Sequence, residues 1–172
     1  MARMTARNMR RDFLSLKLTR PMIKKVSYAR RLQIDLASKN EEELFKWFLA
    51  CLVFGKPIQT AIAERAYQEL VAARLTSPNA VRRAGWDKLV HLLDRAHYVR
   101  YDFSTATKLL EVCQELKHRY GTLTNLLAQA RTASELSRVL QEFKYIEPVT
   151  TRIFLQEVRP IWYRKAALRK ER

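Results

Sequence analysis

From residue 44 to residue 54 a single position, Lys46, is polar; the rest are Leu, Phe, Trp, Ala, Cys and Val. A helix that is apolar all round has no face to give to water, so it must lie at the centre of a fold and be covered on every side. Its apolar part is much shorter than the roughly 20 residues needed to cross a bilayer, so it reads as a core helix and no membrane is expected. The covering elements are expected to be helices too. The 172 residues include only 3 Gly and 5 Pro, which leaves few hairpin turns for a sheet, while Leu, Ala, Arg, Glu and Lys are frequent. The expected fold class is all-α, one compact multi-helix domain.

Local signals divide the chain. Ser38 and Glu41 have capping-box spacing, so the central helix is expected to start there and to stop at Gly55. Pro57 then opens a helix to about Leu75, with Ile58, Ile62, Ala66 and Leu70 on one stripe. Ser77 and Pro78 begin a short helix that Gly85 stops, and Trp86 begins another that reaches about Ala96. A loop from His97 leads to Ser104, the expected cap of a long helix ending at Tyr120 and Gly121. Two shorter helices follow, at about 123–130 and 133–143. The last helix is expected from Pro148 to about Val158, with Pro160 closing the pattern. The expected domain is residues 38–163, flanked by a basic helical extension over 1–37 and a basic tail over 164–172. Within that extension, helices are read at about 5–18 and 22–37.

Charge is distributed unevenly. The chain carries +16, yet residues 1–31 hold ten Lys or Arg against one Asp, and residues 159–172 hold six against one Glu, leaving the body nearly neutral. Such ends suit a polyanion, whose neutralised phosphates release condensed counterions on binding. A solvated tail of a ribosome-associated or membrane-surface protein is the competing reading. Cys51 and Cys113 stand alone in apolar runs, and His91, His97 and His118 form no ligand pair, so no metal and no cofactor are expected. The first residues lack an apolar signal core, and the expected location is intracellular, cytoplasmic or nucleoid-associated.

Residues 140–155 read as two helices joined by a tight hairpin, the outline of a clamp for a nucleic-acid backbone. With Gly55 and Lys56 after the central helix, Trp86 before the aromatic loop of Tyr98 and Tyr101, and Arg159, Pro160 and Trp162 after the hairpin, the order over roughly residues 41–163 resembles the helix-hairpin-helix DNA glycosylase superfamily, the endonuclease III-like group. The resemblance implies a base-excision-repair fold and double-stranded DNA as partner. A helix N-terminus behind a tight turn presents backbone N–H groups to a phosphate oxygen. The positions that would contact DNA are Lys56, Lys144, Tyr145, Thr150, Thr151, Arg152, Arg159, Arg164 and Lys165.

The same resemblance implies missing chemistry. Val149 stands where members with lyase activity carry the lysine that attacks the sugar, and Tyr145 and Glu147 stand where the family prefers glycine. Glu147 is expected to weaken the phosphate site unless Lys144 and Arg152 compensate. Past the last helix the sequence around Trp162 to Ala167 has no carboxylate in place of the family's aspartate, and no counterpart of its four-cysteine loop follows, so no iron–sulfur cluster is expected. The reading is a DNA-binding protein without the usual catalytic pair. The alternatives are a monofunctional glycosylase with no lyase activity, for which Glu147 is the candidate carboxylate, and an RNA-binding or ribosome-associated helical protein. Asp102 is a further candidate carboxylate, and Trp86, Tyr98 and Tyr101 are either base-stacking platforms or core.

Overall fold

The structure, a computed structural model, describes residues 27–163. Among these residues every regular element is helical: α1 (Tyr28–Arg31), a 3-10 turn (Leu36–Ser38), α2 (Glu41–Phe54), α3 (Thr60–Ala72), α4 (Pro78–Arg95), α5 (Asp102–Arg119), α6 (Leu123–Gln129), α7 (Ala133–Gln141) and α8 (Pro148–Trp162). The all-α expectation holds. The helix read at 5–18 lies outside the described residues.

α2 is the central element, as its composition demands. From Leu44 to Val53 all its residues except Lys46 are buried, and the helix packs against α3, α5, α6, α8 and the 3-10 turn. α3, α4 and α5 pack in sequence on one another, while α7 pairs with α8. Large aromatic side chains join the layers. Phe48 meets Phe154 edge to face at 5.6 Å, and the Trp47 indole N–H donates to the Phe154 carbonyl at 3.2 Å. The Tyr98 hydroxyl donates to the Val53 carbonyl at 2.6 Å, tying the loop after α4 to the last turn of α2.

Several boundaries differ from expectation, each for a physical reason. Of the helix expected at 22–37, residues 22–26 lie outside the described residues, and the described part is α-helical only at Tyr28–Arg31, because Gln33 takes a left-handed φ of 59° and reverses the chain. It is held to the body by the buried side chains of Ala29, Ile34 and Leu36, and by Glu157 of α8, which accepts from the Ser27 hydroxyl and the Tyr28 N–H. Ser38 does not cap α2; its hydroxyl donates to the Asp35 carbonyl, and Asn40 caps the helix by accepting from the Glu42 N–H at 2.7 Å. Glu41 does not reach back either. Its carboxylate crosses to the start of α6 and accepts from the Leu123 and Thr124 N–H groups at 2.9 and 2.8 Å.

α3 starts three residues after Pro57, at Thr60. Tyr101, not Ser104, occupies the cap position of α5; Ser104 sits in its first turn and donates to the Tyr101 carbonyl. α8 runs through Pro160 to Trp162, since a proline in the last turn of a helix forfeits only one backbone bond. Gly85 does break the helix, with φ 78° and ψ 170° inside α4. A Cβ there would touch nothing, so glycine is needed for the angle and not for space.

Candidate functional site

The hairpin is built as expected in outline. α7 ends at Gln141, residues 142–147 turn, and Pro148 opens α8 as its first residue. Phe143 and Ile146 are buried and anchor the turn, and Phe143 stacks on Tyr120 at 6.1 Å. Arg119 reinforces this joint, pairing with Glu142 at 2.6 Å and with Glu115 at 2.8 Å while lying over the rings of Tyr120 and Phe143.

The centre of the site is a cluster of charges around the N-terminus of α8. Glu147 pairs with Lys56 at 2.9 Å and, through its other oxygen, with Lys108 at 3.8 Å. Lys108 also donates to the Thr150 hydroxyl at 3.4 Å. Burial pushes the Glu147 carboxyl upward, but the Lys56 hydrogen bond and the charges of Lys108 and Lys56 outweigh it and hold the group below its usual range. Lys108 is 2 % exposed, and burial pushes its ammonium down to about 8 despite the carboxylate beside it.

Gly55 is what allows the loop after α2 to come this close. Its φ of −69° is ordinary, but a Cβ there would overlap the Thr150 hydroxyl and approach Lys108 Nζ to 3.5 Å. The Cys51 carbonyl, 3.3 Å from the same point, closes the third side. The end of α2, the middle of α5 and the start of α8 therefore meet in one small polar knot, buried at Lys108 and Thr150 and open to solvent at Glu147.

The expected contact residues fall in different surroundings. Lys56 belongs to the knot. Thr150 and Thr151 are 1 % and 2 % exposed, so they do not face a phosphate from the hairpin surface as expected; the first turn of α8 packs them inward. Lys144 is exposed and lies over the Tyr145 ring at 4.9 Å, away from Glu147, so the compensation expected of Lys144 and Arg152 comes from Lys56 and Lys108 instead. Arg152 and Arg159 are exposed along α8, and Arg164 and Lys165 lie outside the described residues.

Of the aromatic candidates, Tyr98 is fully buried and belongs to the core. Trp86 is 38 % exposed, rests 5.2 Å from the exposed Phe103 ring and donates to the Thr107 hydroxyl. Tyr101 packs against the core with the Arg100 guanidinium over its ring.

Lys108 is the residue absent from the expected set. The signal was present: Thr105, Lys108, Leu109, Val112 and Leu116 share the inward stripe of α5, and a lysine on such a stripe needs a buried partner. Nothing local in the sequence marks Glu147 as that partner. Val149 is 42 % exposed beside the cluster and offers no nucleophile. No group of three or more His, Cys, Asp or Glu side chains able to hold a metal occurs among the described residues, and no described helix is long and apolar enough to cross a membrane. No protein-family model matches the chain, and no significant match is found among curated proteins or solved structures.

Proposed function

We propose that the chain is a DNA-binding protein, built on a helix-hairpin-helix frame like that of the DNA glycosylases, which grips backbone phosphate and does not release bases. The observation that carries this reading is the pairing of Glu147 with both Lys56 and Lys108. One carboxylate against two ammonium groups leaves the start of α8 net positive, where the helix dipole also favours an anion. The glutamate expected to weaken the phosphate site is thus neutralised within the protein. The same pairing disfavours the monofunctional glycosylase alternative, because a carboxylate whose two oxygens already engage lysines, and whose basicity they lower, is a weak base toward water.

Two measurements test the proposal. Duplexes containing uracil, an abasic site, an alkylated base or an oxidised base should bind with strong salt dependence and remain intact on prolonged incubation. Base release that disappears in Glu147→Gln while binding persists would establish the enzyme reading instead. Structured RNA bound well above every duplex would favour the RNA-binding reading.

A further inference from the structure

We infer that the nucleic-acid backbone lies in the groove between α7 and α8, alongside the hairpin and not only at its tip; this rests on the DNA-binding reading proposed above. The groove measures about 930 Å³ and runs from Gln141 and Pro148 at the hairpin end to Arg131 and Tyr163 at the other. Arg131, Arg152 and Arg159 line it, and no Asp or Glu does. None of the three guanidinium groups forms an ion pair among the described residues, although Arg31, Arg95 and Arg119 all do.

Further features point to a phosphate polymer. Arginine forks match phosphate oxygens in bidentate geometry and shed their hydration more readily than ammonium groups. Arg152 and Arg159 are two helical turns apart, about 10 Å along the axis, so the charges form a track and not a single-ion pocket. The first turn of α7 opens onto the groove at Ala133 and Ser134. In the wall beside Arg152, the Thr151 hydroxyl is buried without a hydrogen-bond partner. The basic stretch over 159–172 begins at the groove's own Arg159, which extends the positive charge beyond it in sequence.

The test uses the full chain and a short fluorescent duplex titrated at several salt concentrations. The triple variant Arg131→Ser, Arg152→Ser, Arg159→Ser is compared with a charge-matched control at exposed positions elsewhere, Arg65→Ser, Arg82→Ser, Arg83→Ser. Thermal melts establish that both remain folded. The groove variant should bind about tenfold or more weakly, and its log–log salt slope should fall by about 2 to 3, with clearly smaller changes in the control. Equal losses in the two triples, or duplex binding untouched by the groove variant, would overturn the groove while leaving the DNA-binding reading in place. A wild-type chain that binds no duplex at any salt would remove both. If it then binds polyglutamate through the same three arginines, the groove belongs to an acidic protein partner.

Discussion

Lys108 couples the fold to pH through a single buried amine. Its folded-state value of about 8 lies below the ordinary 10.5, so the folded chain releases a proton that the unfolded chain keeps between those values. The unfolded state then binds more protons, and stability rises with pH across that window. Below pH 8 both states hold the proton and the effect is absent. The buried thiols of Cys51 and Cys113 act in the opposite direction above pH 9, because burial holds both above their ordinary range. The Lys108 contribution is therefore read by difference: from pH 7 to 10.5, wild type should gain about 3 kcal/mol in unfolding free energy relative to Lys108→Met, measured by urea titration at each pH. A constant difference would mean that Lys108 titrates normally. Thr151 offers a second reading at this scale. Its hydroxyl is buried without a partner, so Thr151→Val should raise stability by about 1 kcal/mol in the absence of ligand, checked by the same titration.

Glu41 and Gly55, at opposite ends of α2, show how one helix organises its neighbours. The Glu41 carboxylate caps α6 across the fold, accepting two backbone N–H groups and the Thr124 hydroxyl. Glu41→Ala should cost about 1 to 2 kcal/mol in a chemical denaturation curve, and hydrogen exchange should quicken at Leu123 and Thr124 before it does in α2 itself. At the other end, Gly55→Ala should cost about 1 to 3 kcal/mol by forcing the start of α8 away from α2. Its signature is an altered Lys108 titration, which a loss of helix propensity alone would not produce. The two residues also mark how legible the elements are. The turn at Gly85 and the caps at Ser77 and Pro78 could be read directly, because a left-handed φ or a first-turn proline is a local requirement. The capping box of Ser38 and Glu41 was legible but misleading. Asp35 and the α6 N-terminus compete for those side chains, and only the packed structure brings the competitors near.

Across the whole molecule, charge and core follow different rules. Residues 32–158 carry only +2 and their apolar centre is ordinary, while the rest of the +16 lies at the two ends. Deleting residues 1–26, which hold eight Lys or Arg and one Asp, should weaken duplex binding and flatten its salt dependence without lowering the melting temperature. A lost fold would instead mean that this segment completes the core. Hydrophobic pattern, turn residues and charge counts are properties of short stretches, and they were enough to establish an all-helical domain, its central helix, the break at Gly85 and a hairpin before α8. The site was less legible because it is assembled from distant stretches. Lys56, Lys108 and Glu147 come from the ends or middles of three elements, and Arg131 joins Arg152 and Arg159 only because α7 folds back on α8. Whether a glutamate opposes a phosphate or is neutralised by two lysines depends on distances of 2.9 and 3.8 Å between residues far apart in the chain. Coulomb energy depends on separation in space, and chain order alone does not set that separation; the tertiary structure does.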